Sequence, residues 1–410
     1  MVSLSNKYLV VLDPGLRELG GHHPASIKSI AQASQHLTDC RLLVYCHQQC
    51  PAGFAQQLEA ENVEVLPVFK TDFYQYFYHQ PSPQDLLAYI QRLAQEYYDA
   101  ISDAVGKLPE AEKITFWCHT VDWPHAQAIS LALSLLEKKW GKPCFLDKVN
   151  INICLMYHPY RQLVESETAI IKQKMRFEIP LRRLVQFPNV ALYGADAEII
   201  GVAQGLAGGE VGLQPCLLLG DLSRDQVKCI DNVNKQIILY VGDAKENKGF
   251  CELPTMVEGI SQRYPNWQIV IQYSINKEAV HLVTIDQHLQ LLNTQRANLT
   301  LIRGFIEHKQ LMRLFKDSSI IAFNYSNDVY QYQSSGVLWL AAYFKLQIIC
   351  FTDTWVTREA KRLGLAVIKW ALNDRYVGSA PQMVSEPNEN PYSIQLYTPL
   401  SQWLKKCLDV

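Results

Sequence analysis

Residues 236–273 read QIILYVGDAKENKGFCELPTMVEGISQRYPNWQIVIQY, and this stretch decides the fold. Two short β-branched runs, 236–241 and 267–273, flank a segment whose apolar residues (Phe250, Leu253, Met256, Val257, Ile260) fall at helical spacing. A short apolar run bounded by turn residues reads as a buried strand, and a period near 3.6 as a helix packing one stripe inward. Strand, helix, strand in that order is a βαβ unit, which predicts a parallel sheet.

The same alternation extends in both directions. Upstream, strands are expected at 7–13, 41–45, 63–69, 113–119, 150–157 and 189–193, with the clearest helices at 84–105 and 125–139. Downstream, strands are expected at 236–241, 267–273, 299–302, 319–324, 347–351 and 365–368. The helices between them are expected at 248–263, 277–292, 309–315, 334–344 and 355–363. Between the two series the periodicity fades into a stretch holding Gly208, Gly209, Gly212, Pro215 and Gly220. This predicts an α/β protein of two Rossmann-like, doubly wound domains, 1–205 and 235–395. Residues 206–234 then connect them, and 396–410 form a terminal helix expected to return to the first domain. Tandem doubly wound domains put a ligand at the carboxyl ends of their strands, facing a cleft.

Composition narrows the function classes. The 410 residues are 48% hydrophobic and 19% charged, enough for two packed cores. A net charge of -2 gives no basic excess for nucleic acid. No apolar stretch approaches the ~20 residues of a membrane span. The polar first residues do not read as a signal peptide. With 11 cysteines in no framework spacing, the expectation is a cytoplasmic chain with reduced thiols.

Four motifs carry candidate chemistry. The loop Gly20-Gly21-His22-His23 precedes a helix start at Pro24 and Ser26, so its backbone N–H groups can approach a phosphate; otherwise it is a tight turn. Adjacent histidines rarely ligate one ion together, and the spacing in Cys46-His47-Gln48-Gln49-Cys50 is wrong for zinc, so no metal is expected. In Gly242-Asp243-Ala244-Lys245-Glu246-Asn247-Lys248-Gly249, Lys248 opens the next helix, where its ammonium reaches phosphate oxygens or is merely solvated. Tyr332-Gln333-Ser334-Ser335-Gly336 offers two capping hydroxyls and an open backbone before an apolar helix. Two histidines, His119 and His158, stand where strands end, placed for acid–base work or for hydrogen-bonding a hydroxyl.

These residues resemble the retaining GT-B glycosyltransferases of the family 4 type, over most of the chain and most strongly over 235–363. The family opens its C-terminal domain with a strand, Gly-Arg and a following Lys-Gly. Here Gly242-Asp243 and Lys248-Gly249 stand in those places, so Asp243 replaces the arginine. Gly304 matches the nucleotide-binding block. A gapless reading puts Tyr332 and Leu340 where the family carries two glutamates. The resemblance implies donor binding by the second domain (Gly242, Lys248, Gly304, Tyr332, Ser334, Ser335, Gly336) with the Gly20, Gly21 and His22 loop. It implies an acceptor-side first domain with His119 and His158, and catalytic roles for His158 and Lys248. The implied reaction is hexose transfer from a nucleoside-diphosphate sugar to a glycan, lipid-linked or protein acceptor, with retention. No cofactor or metal is implied, and the chain holds no Asp-x-Asp. Replacement of the charged groups leaves a second reading open, a degenerate GT-B protein binding a nucleotide or glycan as a scaffold.

Two acceptor-side features remain. The aromatics of 73–78 either stack on a sugar or fill a loop. Segment 160–183 holds six basic residues against three glutamates, with Ile170, Ile171, Met175 and Phe177. It reads as a solvated amphipathic helix or as weak peripheral contact with the inner face of a membrane.

Overall fold

A computed structural model of the chain describes residues 7–19, 21–76, 81–161, 167–220, 236–275, 279–370 and 391–409. It folds as two units, Met1–Leu222 with Gln395–Val410, and Ser223–Ile394.

The first unit runs β1 (Lys7–Asp13), α1 (His22–Ser34), β2 (Cys40–His47), α2 (Ala52–Ala60), β3 (Glu64–Phe69), α3 (Pro83–Lys107), β4 (Ile114–Val121) and α4 (Trp123–Trp140). It continues through α5 (Lys142–Lys148), β5 (Val149–Leu155), α6 (Glu167–Leu184), β6 (Val190–Gly194), α7 (Ala197–Ala207) and β7 (Gly212–Leu213). Its parallel sheet has the order β3-β2-β1-β4-β5-β6-β7. Chain direction across the sheet reverses between β1 and β4, and this switch point is where an open α/β sheet leaves a crevice. The strands there are buried on both faces: β4 has no exposed residue, and β1 only a half-buried Lys7. Helix starts are set locally. Asp122 accepts from Trp123 N–H ahead of Pro124, and Ser82 accepts from Asp85 N–H ahead of Pro83.

The second unit runs β8 (Ile237–Asp243), α8 (Leu253–Arg263), β9 (Gln268–Ser274), α9 (Val280–Gln295), β10 (Leu299–Arg303), α10 (His308–Asp317), β11 (Ile320–Phe323) and α11 (Asn327–Tyr330). It continues with α12 (Gly336–Tyr343), β12 (Gln347–Cys350), α13 (Trp355–Arg362) and β13 (Val367–Lys369). The order β10-β9-β8-β11-β12-β13 is again parallel, with its switch point between β8 and β11. Ile238, Tyr240, Phe250, Leu253, Met256, Val257, Ile260, Ile269 and Ile271 meet in one core, so the apolar residues of the opening βαβ stretch converge as their spacing predicts.

After α14 (Pro391–Leu396), α15 (Leu400–Leu408) packs in the first unit. Leu400, Trp403, Leu404 and Cys407 join the core of β1, β2 and α1, with the Trp403 ring 4.9 Å from Trp117. Part of the 206–234 stretch is also built into this unit: β7 extends the sheet, and Cys216 N–H donates to Leu396 O at 2.9 Å. Among the described residues no helix is long and apolar enough to cross a membrane.

Candidate functional site

Each switch point carries a cluster of polar side chains. In the first unit it is built on Asp13, the last residue of β1. Pro14 and Gly15 turn the chain, and Gly15 N–H donates to Asp13 Oδ1 at 3.0 Å. A Cβ on Gly15 would lie 2.1 Å from the His23 ring, so only glycine admits that imidazole. His23, in the first turn of α1, puts Nδ1 2.7 Å from Asp13 Oδ1 and Nε2 2.8 Å from Tyr74 Oη. On β4, His119 puts Nε2 3.0 Å from Asp13 Oδ2 and Nδ1 2.8 Å from Thr120 Oγ1. Pairing of β4 with β5 shifts register between Cys118 and Val121, a bulge over His119 and Thr120 that redirects side chains at the strand end. Asp13, His23 and His119 are all under 5% exposed.

The electrostatics follow from this packing. Burial alone would raise the Asp13 pKa, but the two imidazoles outweigh it and hold the carboxyl well below its usual range. Burial, then His23 and His119, push His22 down to about 3, so it is neutral at pH 7. Its Nε2 is buried with no hydrogen-bond partner among the described residues. His125, stacked on Phe73 at 3.8 Å, is likewise pushed down to about 3 by burial, then by His23 and Arg161.

The cluster continues toward β5. Tyr74 Oη lies 3.4 Å from Tyr157 Oη, and Arg161 covers the Tyr157 ring at 4.2 Å while pairing with Asp122 at 2.8 Å. His158 is buried beside them and accepts from Tyr160 N–H through Nδ1 at 3.1 Å. A ring whose Nδ1 accepts carries its proton on Nε2. The fold thus gathers His22, His119 and His158 along the carboxyl ends of β1, β4 and β5. Gly21, at φ +81, precedes α1 with no side-chain cap. Gly20 lies outside the described residues, as do Phe77 and Tyr78 of the aromatic run and 162–166 of the basic segment. Within the described aromatics, Phe73 is buried and Tyr74 joins the cluster.

In the second unit, Gly242 near the end of β8 adopts φ +151, and the Lys248 side chain folds over it, Nζ within 3.3 Å of where a Cβ would stand. Lys248 does not open α8, as the sequence suggested. It closes a 3-10 turn, Glu246–Lys248, ended by Gly249 at φ +72. Glycine is obligatory there because a Cβ would come within 2.2 Å of Asn324 O, just past β11. Ser326 N–H donates to Asn247 O at 2.9 Å, so the loops after β8 and β11 are tied together at the switch point. Burial lowers the Lys248 pKa against the pull of Asp243, whose carboxylate lies 3.9 Å away. Asp243 also accepts from Ser274 Oγ at 2.7 Å.

The other donor-side candidates divide. Gly304, at φ +101 after β10, lies two strands from β8 and donates its N–H to Tyr273 O on the intervening β9 at 2.8 Å. Ser335 occupies the position before α12, yet its hydroxyl makes no capping bond and instead sits 3.3 Å from Tyr325 Oη. Gly336 begins that helix, while Ser334 and Tyr332 are half-buried beside it. Leu340 is 1% exposed in the core, consistent with an apolar residue where a glutamate was sought. Sequence reasoning missed Asp13 and Thr120; it took Tyr74 only within the aromatic run of 73–78, Arg161 only within the basic segment 160–183, and His23 only with its neighbour His22. The signal available was Asp13-Pro14-Gly15, a carboxylate followed by turn residues at the end of the first strand.

No family model and no curated protein matches the chain. Solved structures do. The chain is similar to an α,α-trehalose-phosphate synthase from Burkholderia xenovorans, solved with glucose-6-phosphate, at 9% identity and TM-score 0.55, covering 98% of this chain and 100% of that one. A glycosyltransferase from Rickettsia africae matches at 11% identity and TM-score 0.54, over 98% and 89% of the two chains. MnaA from S. aureus, solved with UDP, matches at 11% identity and TM-score 0.50, over 98% and 88%. Together with the two parallel sheets, these likenesses establish that the chain has the GT-B fold.

Proposed function

We propose that the chain is a glycosyltransferase that moves a hexose from a nucleoside-diphosphate sugar to a glycan, lipid-linked or protein acceptor. The observation that carries this reading is Lys248, a desolvated ammonium folded over Gly242 at the β8/β11 switch point. A cation held there beside exposed backbone is suited to a diphosphate, whose departure it stabilises by charge. Two of the structural neighbours were solved with UDP or a sugar phosphate, which supports a ligand of this class. Acceptor-side roles fall to His119 and His158, with His158 positioning or polarising the reacting sugar. Retention rests on the sequence resemblance, and no cofactor enters the reaction.

The test is release of nucleoside diphosphate from a panel of sugar donors by the purified chain, with and without candidate acceptors. Turnover lowered about 10²–10³-fold by His158→Ala, the range for loss of one preorganised hydrogen-bonding group, is expected. Donor binding without turnover, under every acceptor, would favour the binding-only reading, which the buried Leu340 supports.

The acceptor side also suggests weak membrane contact. Helix α6 exposes Ile170, Ile171, Met175 and Ile179 beside Lys172 and Arg176, along a groove that includes Trp123 and Leu86. Flotation with anionic vesicles is expected to carry the wild type and to lose an Ile171→Glu/Met175→Glu double variant. Equal flotation of the two proteins, or none of either, would remove this contact.

A further inference from the structure

We propose that Asp13, His23 and His119 form a binding site for a divalent first-row transition-metal ion, with zinc as the test ion. The sequence offers His22 and His23 as neighbours, which rarely ligate one ion together. The fold instead pairs His23 with a histidine from β4 and a carboxylate from β1.

The donor set is one carboxylate and two imidazoles, all within 4.8 Å of one another and all buried. This combination suits zinc and other borderline first-row ions. Each imidazole turns one nitrogen to Asp13 and the other to a hydroxyl, His23 to Tyr74 and His119 to Thr120. Outer hydroxyl partners of this kind fix ring orientation and hold each ring's single proton away from the ion. Binding then needs only that each neutral ring carry its proton on the hydroxyl side, with Thr120 Oγ1 and Tyr74 Oη accepting. Positions are fixed by Gly15, which admits the His23 ring, and by the β4 bulge, which redirects His119. A third imidazole, His22, stacks on His23 at 4.3 Å and keeps an unpartnered, buried Nε2. Three protein donors leave a coordination position of a tetrahedral ion for water or a substrate oxygen. The site shares His119 with the proposed acceptor side, but its test reads metal uptake and not sugar transfer.

The test is calorimetric titration of chelator-stripped, full-length protein with zinc, followed by X-ray absorption of the loaded chain. One zinc per chain is expected, with a nitrogen and oxygen shell at about 2.0–2.1 Å. Affinity should fall about 10–100-fold in Tyr74→Phe and in Thr120→Val, which remove only the outer hydroxyls. It should be lost in His119→Ala. Because His119 is buried, that variant is first checked by circular dichroism; if it does not fold, the two conservative variants carry the test. No zinc uptake by the wild type overturns the proposal. So does a sulfur shell, which would assign the ion to some of the 11 cysteines. Unchanged affinity in both conservative variants overturns it as well.

Discussion

At the scale of single residues, the account turns on two glycines and a buried histidine. Gly249 is held twice, by φ +72 and by Asn324 O lying 2.2 Å from any added Cβ. Strained backbone costs roughly 1–3 kcal/mol and overpacking typically about as much again, so Gly249→Ala should destabilise the second unit by about 3 kcal/mol or more. Urea unfolding measures it, and a loss below about 1 kcal/mol would mean that the loops after β8 and β11 are not locked. Gly15 plays the equivalent part for His23 in the first unit. His125 supplies a pH signature. Its folded pKa of about 3 lies below the ordinary histidine value, so below pH ~6.5 the unfolded chain takes up a proton that the folded chain refuses. Stability is therefore lost as pH falls from about 6.5 toward 3, with a limiting slope of about 1.4 kcal/mol per pH unit for this one proton. His125→Gln should flatten the stability profile over pH 6.5–4.5; an unchanged slope would contradict a neutral His125. The roles of Gly249 and His125 are not visible from spacing, because Asn324 and Phe73 are distant in sequence, whereas Gly15 meets His23 within the same β–α turn.

At the scale of elements, much of the architecture is legible and the exceptions have physical causes. Strand β1 falls on Lys7–Asp13 as the β-branched run predicts, and the other long strands agree to within a few residues. Strand β7, with two residues, is too short for any period to register. The start of α8 was misplaced because the left-handed Gly249 ends a 3-10 turn at Lys248, and the helix begins only at Leu253, ahead of Pro254. The terminal segment is expected as a helix returning to the first domain, but its spacing does not say which core it joins, which is the one around Trp117. Trp403 is 8% exposed, so Trp403→Ala should cost about 3–5 kcal/mol in urea unfolding of the first unit. A cost under about 1 kcal/mol would show α15 to be loosely attached.

At the scale of the whole molecule, both units apply one design: a parallel sheet whose switch point gathers backbone-tight glycines and charged side chains. Strand–helix alternation made the two sheets legible, and glycine and lysine placement made the second cluster partly so. The first cluster was less legible because Asp13, at the end of an apolar strand, gives no periodic signal. The central claim is that Lys248 marks a diphosphate site. Calorimetry with a panel of nucleoside diphosphates and nucleotide-sugars, comparing wild type with Lys248→Ala, tests it directly. The account predicts binding of one nucleotide class by the wild type, weakened by about 1.5–3 kcal/mol in the variant, as for a charge-assisted hydrogen bond. Equal affinity in the two proteins, or no binding of any nucleotide by the wild type, would contradict it.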